Sequence, residues 1–93
     1  DSIIIYPQGY QKYWNDCRAS AKTKAKLQNI NEVEFFKAMI SFFKSKYSVS
    51  NSFLVGFSNG GHMVFRFALE APELFSAFAV IAANLPVQEN NEC

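Results

Sequence analysis

At 93 residues the chain holds one domain at most, and a chain this short buries only a modest fraction of its surface on folding. Hydrophobic residues make up 49% and ten are Phe, a core-forming composition that excludes a disordered or fibrous protein. A net charge of +1 gives no basic field for nucleic acid, and no apolar run approaches the roughly 18 residues that span a bilayer.

The first element in chain order is "SIIIYPQG". A continuous apolar run from Ile3 to Tyr6, with β-branched Ile3, Ile4 and Ile5 and closed by Pro7 and Gly9, predicts a strand buried on both faces. The next stretch, "YQKYWNDCRASAKTKAKLQN", has no sustained period and carries Tyr10, Tyr13 and Trp14 among polar residues. It predicts a long loop with a helical turn, and long loops in compact domains are usually functional. Lys22, Lys24 and Lys26 within it read as a solvated face.

A helix is expected from Asn31, which can cap it with Glu34 at the third position. Val33, Phe36, Ile40, Phe43 and Tyr47 recur at steps of three and four, and Phe35, Met39 and Phe42 widen the stripe, so the helix should pack along its whole length. "SVSNS" ends it. "FLVGF" then predicts a second buried strand, a helix follows from the glycines at 60 and 61 to Pro72, and "FSAFAVIAANLP" predicts a third strand. Strand, helix, strand, helix, strand with continuous apolar strands is the pattern of an α/β fold, a parallel sheet with helices on both faces.

Between the second strand and its helix stands "VGFSNGGHM", which places Ser58 in the spacing G-x-S-x-G. The motif arises by chance in roughly 3 of 100 chains of this length. Its position at a strand-to-helix turn is the context a nucleophile elbow requires, where a strained turn lifts the serine out at the carboxyl end of a parallel sheet. A side chain at position 56 or 60 is expected to collide with neighbouring backbone. The Asn59 amide, next after the nucleophile, would donate one hydrogen bond to an oxyanion. The bland alternative is a packing turn whose serine caps the helix.

His62, one helical turn on, stacks below the serine instead of facing it, so a pocket-lining role fits it better than that of a base. In this topology an acid and then a histidine follow the serine, yet Glu70, Glu73, Glu89 and Glu92 have no histidine after them. A complete triad is therefore not expected within these residues. The start at Asp1 without Met and the stop at Cys93 suggest the central portion of a longer catalytic domain.

Cys17 and Cys93 are the only cysteines, without a C-x-x-C pair or a neighbouring His to suggest zinc. Either they form one long-loop disulfide, which implies an oxidising compartment, or they are unrelated thiols.

On "YPQG" followed by "WND", "NINEVEFF", "GFSNGGHM" and "AANLP", the chain resembles, over nearly all its length, the esterase family of polyhydroxybutyrate depolymerases and feruloyl or acetylxylan esterases, built on the α/β-hydrolase fold. The resemblance implies Ser58 as acyl-accepting nucleophile and an ester of a hydroxy acid or plant-wall phenolic as substrate; Trp14 and His62 are the candidate substrate-binding residues. It implies no metal or cofactor, a disulfide between Cys17 and Cys93, and an extracellular or periplasmic protein. It departs from the family at Asn31 and Glu32, where an acidic pair is usual, and by lacking the His-Gly segment and the triad Asp and His. A competing reading from another class is a non-catalytic carbohydrate- or polyester-binding module that uses Tyr10, Tyr13 and Trp14.

Overall fold

The computed structural model describes residues 2–93, a small α/β arrangement around one parallel pair of strands. Strand β1 spans Phe53–Phe57, helix α3 spans Asn59–Glu70, a 3-10 turn covers Pro72–Leu74 and strand β2 spans Ala77–Ile81. Ahead of this βαβ unit lie a one-turn helix α1, Lys24–Leu27, and a long helix α2, Glu32–Tyr47. The strands pair in register from Phe53 opposite Ala77 to Phe57 opposite Ile81. A parallel pair needs a crossover, and α3 is that crossover, packed against both strands.

Two glycines allow the close approach. A Cβ on Gly56 would stand 2.2 Å from the Gly60 carbonyl oxygen and 2.7 Å from Val64 Cγ2, and one on Gly61 would stand 2.8 Å from Ala83 Cβ. Helix α3 can therefore lie directly on β1 at Gly56 and against the chain leaving β2 at Gly61.

The core is small and aromatic. Phe36 of α2, Met63 and Phe67 of α3 and Ala71 are buried, with Trp14, Leu54, Phe75 and Phe78 packed around them. Phe36 sits tilted against Phe67 at 4.7 Å between ring centroids and edge-on to Trp14 at 5.6 Å. Burying one such ring stabilises by about 2–3 kcal/mol, so these contacts carry much of the fold.

Helix α2 starts as the sequence predicts, with Asn31 Oδ1 accepting the Glu34 N–H at 3.2 Å. It stops at Ser48, which takes a left-handed conformation with φ 56° and donates its N–H to the Lys44 carbonyl. The expectation that α2 packs along its length is corrected. Phe36 is its buried hydrophobic residue, whereas Phe35, Phe42 and Tyr47 are exposed. Helix α2 meets α3 near its own start, and its later rings pack on each other, Phe42 edge-on to Phe43 and Phe43 stacked on Tyr47.

Two further expectations fail for one reason. The strands are not buried on both faces: Leu54 and Phe78 turn to the core, while Phe53, Val55, Phe57 and Ile81 stay exposed on a face that no described helix covers. Ile3–Tyr6 forms no strand, and its residues are exposed, because no neighbouring strand offers it a ladder. A continuous apolar run signals burial on both faces only where both faces find a partner.

The loop from Tyr10 to Asn29 is as long as predicted, and α1 supplies the helical turn, capped by Thr23. Cys17 and Cys93 are joined as a disulfide with Cα atoms 5.3 Å apart, which decides between the two readings of the cysteines. Beside it the C-terminal segment runs along the loop: Ala19 N–H donates to the Asn90 carbonyl at 2.9 Å and Glu92 N–H to the Cys17 carbonyl at 2.8 Å. Lys26 is not part of a solvated face, as its Nζ donates to the Asp16 carbonyl and pairs with Glu92 at 3.4 Å.

Candidate active site

Ser58 takes φ 56° and ψ −118° between the end of β1 and the first turn of α3. This conformation lies outside the regions an L-residue normally occupies and costs on the order of 1–3 kcal/mol. It persists because its surroundings over-determine it. Ser58 N–H donates to the Ile81 carbonyl at 2.9 Å, fixing the turn to β2, and the Ser58 carbonyl accepts the His62 N–H at 3.0 Å, starting the helix. The side chain is exposed and its hydroxyl does not cap α3, so the packing-turn alternative loses its reason for a serine.

The first amides of a helix have no acceptor within it, and no side chain caps those of α3. The Asn59 N–H is the first of them. An acceptor developing negative charge beside Ser58 would meet these donors and the positive end of the helix dipole.

The Asn59 side chain does something the sequence did not disclose. Its Oδ1 accepts the Trp14 N–H at 2.7 Å, and its Nδ2 donates to the Trp14 carbonyl at 3.3 Å and to Asp16 Oδ2 at 2.7 Å. One amide thus clamps two residues, Trp14 and Asp16, lying more than 40 positions away in the chain. Asp16, 1% exposed, is held in turn by Arg18, whose Nη2 donates to Oδ2 at 2.7 Å and whose Nε and backbone N–H donate to Oδ1. Burial pushes the Asp16 carboxyl up, but the hydrogen bonds and charge of Arg18 outweigh it and hold the group below the usual aspartate range.

Asn15, between the clamped residues, is fixed from two other elements. Its N–H donates to Glu32 Oε2 at 2.7 Å, and its carbonyl accepts from Arg66 Nη1 at 2.6 Å. Glu32 is 2% exposed, and burial raises its pKa despite the Asn15 N–H and the charges of Arg66 and Lys26. The start of α2, the middle of α3 and the elbow all grip residues 14–16.

Trp14 is brought to the elbow, with its indole Nε1 3.9 Å from where a Cβ on Gly60 would stand. That corrects one expectation about the glycines. A side chain at 60 meets no backbone within 4 Å, whereas Gly56 and Gly61 are the tight positions. His62 Nδ1 lies 3.1 Å from the Asn84 carbonyl, and since a carbonyl only accepts, Nδ1 carries the proton. It ties α3 to the segment after β2. Tyr10 and Tyr13 are not brought to the elbow with Trp14; they face each other across an exposed turn.

Among the described residues no group of three His, Cys, Asp or Glu could hold a metal, and no helix is long and apolar enough to cross a membrane. The contacts of Asp16, Glu32 and Arg66 were not legible in the sequence, because their partners lie far along the chain and no spacing pattern encodes them. Compared with known proteins, the chain matches no family model, no curated protein and no solved structure.

Proposed function

We propose that the chain carries the nucleophile elbow of a serine carboxylic-ester hydrolase of the α/β-hydrolase type, similar to polyhydroxybutyrate depolymerases and feruloyl esterases. The observation that carries this reading is Ser58 itself, exposed, strained at φ 56° and standing at the open N-terminus of α3. Ser58 Oγ attacks the ester carbonyl, the Asn59 N–H donates to the resulting oxyanion, and the alcohol leaves to give an acyl-enzyme that water hydrolyses. A hydroxyl needs a base to take its proton, and His62, committed through Nδ1 to Asn84 from within the same helix, does not fill that place. In this reading the base and its acid come from chain outside these 93 residues. The disulfide supports an oxidising setting, extracellular or periplasmic.

The test is labelling of the full-length protein with a fluorophosphonate and hydrolysis of 4-nitrophenyl butyrate. Ser58→Ala should abolish labelling and cut turnover by on the order of 10⁴-fold or more. Unlabelled protein that still binds polyester or polysaccharide, with Tyr10 and Tyr13 required, would favour the binding module instead.

A further inference from the structure

The indole N–H of Trp14 makes no hydrogen bond to any described residue and is open to solvent, unlike the buried, unpartnered oxygens Asn15 Oδ1 and Glu32 Oε1. Trp14 makes its hydrogen bonds through its backbone, both to the Asn59 side chain. Among the described residues its Nε1 has no partner, so a ligand acceptor can reach the donor without displacing a protein group. The ring has little freedom to seek one. Phe36 packs edge-on against it, and Gly9 leaves just enough room for it, since a Cβ there would lie 3.2 Å from Trp14 Cδ2. Both the backbone and the ring are thus fixed with Nε1 turned toward the first turn of α3.

Beside Nε1 lies the bare Cα of Gly60. Apart from α3's own backbone and the adjoining residues, Nε1 is the one atom within 4 Å of a Cβ built there, so the position is otherwise open. Its φ is not positive, so the backbone does not demand glycine. Alanine is also the better helix former, yet glycine stands here. An alanine methyl would fill the space before the indole N–H.

From these observations we infer that the space over Gly60, two residues past Ser58, is a subsite for an ester oxygen other than the carbonyl under attack, with Trp14 Nε1–H as its donor. The inference rests on the ester-hydrolase reading and assigns its specificity: esters with a hydrogen-bond acceptor in the acyl chain or the alcohol are preferred over their methylene counterparts. Trp14 is then a specificity-determining residue, and the Asn59 and Asp16 clamp positions it.

Isosteric ester pairs test this in the full-length protein. In the acyl arm, 4-nitrophenyl methoxyacetate is compared with 4-nitrophenyl butyrate; in the alcohol arm, 2-methoxyethyl butyrate is compared with butyl butyrate. The readout is the ratio of kcat/KM within each pair, from which losses of folded protein divide out. Trp14→Phe keeps a ring against Phe36 but deletes the donor, replacement of Trp14 by benzothienylalanine keeps the whole ring outline, and Gly60→Ala covers the donor. Each should lower the ratio about threefold to tenfold in one arm, the worth of one neutral hydrogen bond. The arm that responds identifies the side of the ester. Ratios unchanged in both arms, with Ser58→Ala inactive, overturn the subsite and leave the hydrolase reading standing. If the parent turns over neither pair, both fall together.

Discussion

Asn15, Asp16 and Glu32 are 1–2% exposed, whereas Phe53, Val55 and Phe57 on β1 are 65–68% exposed, the reverse of what polarity alone would assign. The polar residues are buried because each has charged or amide partners from α2, α3 and the loop itself. The apolar ones are exposed because one helix can cover only one face of a two-stranded sheet. Partners, more than hydrophobicity, decide what goes inside a domain this small. The candidate site lies where the partners are dense: the strained serine follows directly from a strand with one open face, yet it is braced by the polar clamp.

The largest effect should come from removing the brace around the clamp. Cys17 and Cys93 close a loop with a sequence separation of 76, and the entropy of such a loop in the unfolded chain is worth about 4 kcal/mol. Cys17→Ser, or reduction, should lower the unfolding free energy by that amount in denaturant titration. An unchanged midpoint would mean that the clamp holds residues 17 and 93 together unaided. Next in size is Phe36→Ala, which removes a 4% exposed ring from contact with Trp14 and Phe67 and should cost about 3–4 kcal/mol. Phe42→Ala, six positions along the same helix and 55% exposed, should stay within about 0.5 kcal/mol. Equal costs at the two positions would show that the exposed half of α2 is covered in solution.

The contrast also marks where the sequence was legible. Local signals held: Asn31 caps α2, the strands at Phe53–Phe57 and Ala77–Ile81 form, and the strain at Ser58 falls where the G-x-S-x-G spacing puts it. Those features depend on residues within a few positions of one another. The open face, the unpaired Ile3–Tyr6 segment and the half-exposed α2 were not legible, because an apolar run records a preference for burial but not whether a neighbour exists. Asp16 was visible only as part of "WND", and its role depends on Asn59, 43 positions on.

Asp16→Ala tests the polar side of the comparison directly. It leaves Arg18 without its carboxylate and Asn59 Nδ2 without one acceptor, and should cost about 2–3 kcal/mol, the worth of a charge-assisted hydrogen bond lost at a buried site. Asn59→Ala keeps the backbone N–H but frees Trp14, so single-tryptophan fluorescence of the 93-residue chain should shift toward that of a water-exposed indole. Emission identical to the parent would show that the ring is held by Phe36 alone.

The smallest expected effect is the one whose sign is least obvious. Burial raises the Glu32 pKa, so the folded chain holds that proton more tightly than the unfolded chain does. Its contribution is therefore whole below the ordinary glutamate value of about 4.3 and is lost as pH rises through the raised folded value. Asp16, held low by Arg18, runs the other way: its contribution is present above the ordinary aspartate value of about 3.9 and is lost as pH falls through the lower folded one. Stability should thus increase as pH falls from neutral toward the ordinary glutamate range, then decrease in stronger acid. Glu32 Oε1 is buried without a partner, and a protonated or amide side chain at 32 removes the cost of burying an unpartnered charged oxygen there. Glu32→Gln should consequently remove the first limb of the profile and, near pH 7, leave the chain as stable as the parent or up to about 1 kcal/mol more so. Thermal unfolding between roughly pH 3 and pH 8 reads both limbs. If the glutamine variant kept the parent's gain on mild acidification, another group would carry that proton, and Glu32 would be ionised in the fold.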